Sequence, residues 1–488
     1  MPGAVDVLDT PEAGGLVIRG GALRVVGFAA GTLLSLGGVV LLTRHLGVSD
    51  YGRFQTVVSF IAIVQAFADA GMATLGVREY AQRTGADRDR LMRVLLGLRI
   101  VVTAVGVAIA TALVAVGGYG EDLILGTVLM GLGLVIVLLQ TTVQIPLAAE
   151  LRLGTITAID VFRQAFATAL IVILVAVGAG LVPFFAASIP VHLAILVWTA
   201  ALVSGRIALR PSFVLAEWGT LLRPALAVAL ATTVGTIYLY TAQILTSLIA
   251  TEVQTGLFSA SFRVFIIVAA VPGILVTSAF PLLSRAARDD ADRLANVVRG
   301  MFEASLVLGG GALVVCVLGA SPIIDVIGGS KYAGAAPVLR VQGLTLFVTF
   351  CLATFGFTML ALHRHRPLVL MNLLALVVMA VTVPIFIHFD GEVGAAWATL
   401  LGETTLLCGY VAVLARERPA LRPRAGPAVR VLVAIAIALS PALLDLPDVA
   451  VTALGVVLYA VAALALGAVP RGVIEQLPAS MQTLLARR

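Results

Sequence analysis

Arg263 lies about two turns into the apolar run 256–281, and Arg24 and Arg53 lie near the ends of two further apolar runs. A guanidinium presents a planar fork of donors that matches phosphate, and it stays charged at physiological pH. Holding a charge at the centre of a membrane-spanning helix costs about 2.5–3.5 kcal/mol on insertion scales, so such residues are functional candidates by default. The chemistry they point to is the binding of an anion. Acidic counterparts are few: Asp69, Glu403, and Asp160 near a run's end. Asp69 and Glu403 could couple transport to an ion, and Asp69 could instead pair with Arg78.

Helical spacing groups further polar residues around these charges. One stripe reads Arg24, Phe28, Gly31, Ser35, Gly38; a second reads Gln55, Ser59, Ala62, Ala66, Asp69. A third carries Thr236, Tyr240, Gln243 and Ser247, and a fourth Gly256, Ser259, Arg263, Ala270, Gly273 and Thr277. If these faces line a hydrated cavity, Ser35, Gln55, Ser59, Tyr240, Gln243 and Ser259 are its polar lining. Arg24, Arg53 and Arg263 would then hold an anionic headgroup. The competing reading is plain packing, since small and hydroxyl residues also join helices in lipid. For Arg24, Arg53 and Arg263 the competing reading is snorkelling to an interface, and Arg99 is read as snorkelling inward. No metal site or cofactor motif is present: Cys316, Cys351 and Cys408 all sit in apolar runs without ligand or disulfide spacing.

The elements that must position these residues follow from composition. The chain has 488 residues, 60% hydrophobic and only 12% charged. A soluble domain is about 45–50% apolar and about 25% charged. The excess excludes a soluble enzyme, a disordered chain and an ordinary secreted domain. At about 20 residues per span the apolar content allows about fourteen spans. The runs lie near 23–43, 54–77, 94–117, 122–147, 160–181, 183–205, 224–249, 256–281, 300–320, 335–362, 367–388, 391–414, 428–445 and 449–469. Their continuous apolar character predicts helices, not barrel strands.

Charge in the loops predicts orientation. The net charge is +6 and Lys331 is the sole lysine, so arginine carries the positive charge. The arginines are not gathered on one hydrophilic module, which argues against nucleic acid as a partner. They fall instead in the loops after even-numbered runs, as in Arg78 to Arg93, Arg285 to Arg299 and Arg416 to Arg430. Several odd loops are acidic, with Glu121, Asp122, Asp390, Glu392, Asp445 and Asp448. The positive-inside rule then places both termini in the cytoplasm of a bacterial inner membrane. No loop exceeds about 20 residues, leaving no room for an outer catalytic domain, so an enzyme is not expected.

The stretches 46–60 and 250–264 share Gly52/Gly256 and Phe54/Phe258, and each leads into a long run and a basic loop. This spacing predicts two pseudo-symmetric six-helix lobes, 1–223 and 224–418, with an additional helix pair and tail over 419–488. Repeats of this kind commonly place a substrate site between halves near the bilayer midplane.

The motifs then become familiar as a set. RHLGVSDYGRFQ (44–55), DAG (69–71), VREYAQ (77–82), TGLFSASFRV (255–264), VPGILVTSAFPLLSR (271–285), SPIIDVIGGSKYAGAAPVLRV (321–341) and GAAWATLLGE (394–403) occur in order along the chain. In this arrangement the chain resembles the lipid-linked oligosaccharide (O-antigen and polysaccharide) flippases of the multidrug/oligosaccharidyl-lipid/polysaccharide exporter superfamily. The resemblance implies two helical bundles around a cavity that opens alternately to each side. It implies a polyprenyl-pyrophosphate-linked glycan as substrate, with the pyrophosphate held by Arg24, Arg53 and Arg263. Membrane lipid, a glycan polymerase and other envelope-assembly proteins are the implied partners. A lipid II flippase and a cation-coupled multidrug exporter are alternatives in the same superfamily; a membrane scaffold or glycan polymerase is the alternative outside it.

Overall fold

The computed structural model describes residues 13–69, 71–205, 210–289 and 291–469, with side chains at 13–30, 220–232 and a few other helical positions outside the description. All longer elements are α-helices: α1 (Ala13–Asp69), α2 (Met72–Gln82), α3 (Gly85–Val116), α4 (Glu121–Val143), α5 (Ile145–Ala149), α6 (Leu153–Ala176), α7 (Leu181–Ala186) and α8 (Ser188–Val203). There follow α9 (Leu215–Ile249), α10 (Glu252–Asp289), α11 (Ala291–Leu318), α12 (Ala320–Gly328), α13 (Ala335–Ala361), α14 (His365–Glu417), α15 (Ala425–Leu439) and α16 (Asp448–Ala465). A spanning helix satisfies its own backbone hydrogen bonds, which lipid cannot do for it.

Ten helices among the described residues are long and apolar enough to cross a membrane, against the fourteen expected. The difference has identifiable sources. The 53-residue α14 is one element by hydrogen bonding, yet Asp390 and Gly391 leave helical geometry in its middle. The 57-residue α1 is likewise bent at Gly47, whose φ of 74° suits a residue without Cβ. Much of its first half lies outside the described side chains, and the described apolar part of α9 is short.

Outward faces carry apolar side chains in helical register. On α3, Val105, Ile109, Leu113 and Val116 are exposed; on α14, Leu370, Leu374, Val377, Val381 and Ile385 are. Such unbroken apolar stripes are unsuited to water and match contact with lipid tails.

The chain divides into two compact units: residues 1–46 with 54–236, and residues 47–53 with 237–488. The sequence boundary expected at 223/224 falls within α9, and the unit boundary lies farther along that helix. In the first unit, Met72 of α2, Leu91, Leu95 and Leu98 of α3, Leu147 of α5, Ile159 of α6 and Ile195 of α8 form one buried cluster. In the second, Leu306, Leu313 and Val314 of α11 pack with Cys351 of α13, Val431 and Ile435 of α15 and Tyr459 of α16. Tyr459 donates its hydroxyl to the Val307 carbonyl at 2.6 Å. The last two helices therefore share the core of α11 and α13.

Candidate functional site

Arg263 sits eleven residues into α10, about 16 Å along its axis at 1.5 Å per residue. That is deeper than the sequence suggested, because the helix begins at Glu252. Its side chain is half-buried, and Nε is buried without a hydrogen-bond partner among the described residues. Among the described residues it makes no ion pair. The Tyr240 ring of α9 lies near enough to feel its charge and packs edge-on against Phe262 at 5.9 Å. A membrane-embedded guanidinium with no carboxylate beside it can take an anion.

Two neighbours expected to line a cavity serve another role. Gln243 of α9 donates to the Ser259 hydroxyl of α10 at 2.7 Å, and Ser259 donates to the Thr255 carbonyl at 2.6 Å. Both side chains are fully buried. They join α9 to α10, the packing role that polar residues commonly take between membrane helices.

Arg53 is committed to carboxylates. Its Nε donates to Glu252 Oε1 at 2.8 Å, Nη2 reaches the same oxygen, and Nη1 lies 3.5 Å from Asp50. Ser49 donates to the other Glu252 oxygen. With two carboxylates on one guanidinium, the cluster carries no surplus positive charge for a headgroup, contrary to the sequence expectation. Glu252 is not among the residues the sequence singles out, since it lies 199 residues from Arg53. The segment is drawn tightly onto α10: a Cβ on Gly52 would stand 2.7 Å from the Gly256 backbone nitrogen, and one on Gly256 would overlap the Val48 carbonyl. These two glycines permit the close approach.

Glu403, buried in α14, is the second unit's buried acid. The hydroxyls of Tyr238 (α9) and Thr349 (α13) flank its carboxyl, while Oε2 and the Tyr238 hydroxyl complete no well-formed hydrogen bond. Farther along α14, Asn372 donates to the Tyr410 hydroxyl at 2.7 Å. Tyr238 and Thr349 escaped the sequence reading because they lie off the polar stripes. A buried carboxyl with an open acceptor site is suited to taking up a proton or a cation.

In the first unit, Asp69 pairs with Arg99 of α3 at 2.8 Å, not with Arg78, which is exposed. Arg99 also reaches the Ala68 carbonyl at 3.4 Å and is almost wholly buried, so it does not snorkel. Gln55 and Ser59 are buried, with Ser59 donating to the Gln55 carbonyl at 2.8 Å. Ser35 is half-buried on the face of α1 that carries Gly31 and Gly38. That face meets α6: a Cβ at Gly31 would touch Gln164 and one at Gly38 would touch Ile171, while Thr168 donates to the Leu34 carbonyl at 3.1 Å. Small-residue packing accounts for this stripe. The side chain of Arg24 lies outside the described residues.

The sequence pattern of the family described as polysaccharide biosynthesis protein matches residues 41–337. The chain belongs to this family. No curated protein sequence matches it significantly. Among solved structures it is similar to lipid II flippase MurJ in an inward closed conformation, at 11% identity and TM-score 0.72, covering 91% of this chain and 98% of that one. An inward-facing multidrug resistance MATE family transporter of the MOP superfamily gives 12% identity and TM-score 0.65, covering 81% and 98%. A MOP superfamily transporter from Pyrococcus furiosus, described as having a binding pocket of reversed polarity, gives 15% identity and TM-score 0.56, covering 83% and 96%. At these identities the likeness is one of fold. This family member is thus a multi-pass membrane protein with the MurJ and MATE fold, as the motif resemblance implied.

Proposed function

We propose that the protein flips an undecaprenyl-pyrophosphate-linked oligosaccharide from the cytoplasmic to the outer leaflet for assembly of a cell-surface polysaccharide. The observation that carries this reading is Arg263, a guanidinium deep in a spanning helix with no ion-pair partner among the described residues. A pyrophosphate would supply the missing negative charge. The sugar head needs a polar path, the prenyl tail can stay in lipid, and no covalent step is required. Family membership supports the polysaccharide pathway. The arrangement in this reading is fourteen spans in two six-helix lobes, 1–223 and 224–418, plus the 419–488 pair. The loop arginines support cytoplasmic termini in a bacterial inner membrane. A glycan polymerase and other envelope-assembly proteins are natural partners for the delivered product.

The test is transbilayer movement in proteoliposomes. A lipid-pyrophosphate oligosaccharide is supplied on one side, and its appearance on the other is read with a glycan-cleaving enzyme. Protein-dependent movement, reduced at least about tenfold by Arg263→Ala, supports the reading; tenfold corresponds to about 1.4 kcal/mol, below the usual range for a hydrogen bond to a charged group. Undiminished movement in the variant removes the anion-site assignment.

A second reading within the superfamily is favoured by Glu403. A buried carboxyl whose Oε2 has no hydrogen-bond partner among the described residues suits uptake of a coupling proton or cation. Lipid II is the alternative substrate under the same anion-binding logic. Movement of a cationic dye without movement of lipid would select the exporter.

A further inference from the structure

A small notch opens where α11 begins, α13 approaches its end and the chain crosses from α14 to α15. Its wall includes Arg299, Arg422 and Arg424, and its floor is Phe302, Phe355 and Leu421. Among the described residues no carboxylate lines it. Phe302 and Phe355 pack with ring centroids 5.3 Å apart, and Leu421 is buried, so the floor is fixed and apolar. Arg299 is half-buried, and its one hydrogen bond is a long one, 3.3 Å to the Asn296 side chain. Arg422 and Arg424 are exposed, and among the described residues none of the three arginines makes an ion pair. Glu417, on the adjoining turn, is paired with Arg364 at 2.8 Å.

We propose that this notch binds a phosphate group, and that at the membrane surface its ligand is the phosphodiester headgroup of an anionic phospholipid. Three like charges sharing one wall repel each other, and an anion between them removes that repulsion. The guanidinium fork suits phosphate oxygens better than it suits a diffuse charge. The notch is open to solvent, and its cavity volume of about 20 Å³ admits a water-sized group such as one phosphate oxygen, with the rest of the headgroup left at the mouth. Ala420 and Pro423, exposed on the same lining, give the glycerol and upper acyl carbons apolar contact beside the arginines. Basic pockets between membrane helices hold anionic headgroups by this combination. The site lies on an arginine-rich loop, where the surface of a leaflet is met. It is independent of Arg263 and of whatever substrate the protein moves.

Arginine modification by phenylglyoxal tests it on the full-length protein in neutral detergent, read by peptide mass spectrometry. The additions are phosphatidylglycerol micelles, phosphatidylcholine micelles, and inorganic phosphate alone. Each basic residue near an anionic surface contributes about 1 kcal/mol, equivalent to about fivefold. Phosphatidylglycerol should slow modification of Arg422 and Arg424 at least about fivefold more than that of the exposed Arg416, which feels only the general surface attraction, with no counterpart with phosphatidylcholine. Protection by inorganic phosphate but not by phosphatidylglycerol would overturn the lipid source and keep the phosphate site. Equal protection by both lipids, equal protection of Arg416, or protection by no addition would overturn the proposal. Retained phosphatidylglycerol, counted by native mass spectrometry, should also fall in R422Q/R424Q and persist in R416Q.

Discussion

Arg99 and Asp69 form a lopsided ion pair: their charged atoms are 2.8 Å apart, the guanidinium side chain 1% exposed and the carboxylate side chain 45% exposed. Among the described residues Arg99 Nη2 has no hydrogen-bond partner, so Asp69 is the principal compensation for a buried positive charge. Removing one member of a buried pair costs more than replacing both, because it strands the other charge. We expect Asp69→Asn to lower stability by about 3 kcal/mol, the low end for such a deletion given the half-exposed carboxylate. The double variant Asp69→Asn with Arg99→Met should recover more than half of it. Thermal unfolding in detergent measures both, and equal values for single and double variants would refute the coupling.

Gly256 sits where the 47–53 segment crosses α10, with no room for a methyl group beside the Val48 carbonyl. Gly256→Ala should sharply reduce the yield of folded protein. Gly273→Ala, in the same helix with open space around its Cα, should match the wild type. Fluorescence-detected size-exclusion profiles of the two variants give the comparison.

Glu403→Gln keeps the side chain's shape and removes its ionisable group. Under the flippase reading, passive lipid movement in this variant should stay within about twofold of wild type, below 0.5 kcal/mol. Arg263→Ala should impair movement much more. The reverse ranking, with dye transport lost in Glu403→Gln, would transfer the protein to the cation-coupled class.

A pH effect is expected at the start of α9. Arg90 donates to Glu217, and this hydrogen bond holds the Glu217 carboxyl below the usual carboxylate range. A folded-state value below the unfolded one contributes stability above the unfolded pKa, and that contribution is lost as pH falls through the folded value. Nearby, Ser212 donates its backbone N–H to the Arg93 carbonyl at 2.8 Å. Protease cleavage around 210–214 should therefore rise as pH drops below about 4. In Glu217→Gln the cleavage should already be raised at neutral pH and should change less on acidification.

The helical architecture was legible because lipid-facing helices need unbroken apolar runs, and the runs at 94–117, 122–147 and 335–362 closely match α3, α4 with α5, and α13. What periodicity could not resolve was the neighbour each polar face meets. A stripe containing Gln243 reads the same whether it faces water or Ser259 on the next helix. Arg78 was the obvious partner for Asp69 along the chain, while the actual partner, Arg99, comes from a later helix. Arg53 looked like a free cation because Glu252 is 199 residues away. Single-sequence spacing carries information within a helix; pair identities across helices depend on rotation and depth, which it does not contain.

The grouping of residues 47–53 with the second unit has a consequence for biosynthesis. Both flanks of this segment belong to the first unit, yet its partners Glu252 and Gly256 are made about 200 residues later. At about 5–20 residues per second, the ribosome needs about 10–40 s to supply them. Through that interval the emerging chain lacks the Glu252 partner of Arg53 and Ser49 and the Gly256 backbone that packs on Gly52, so this stretch of α1 gains these contacts only after α10 has been made.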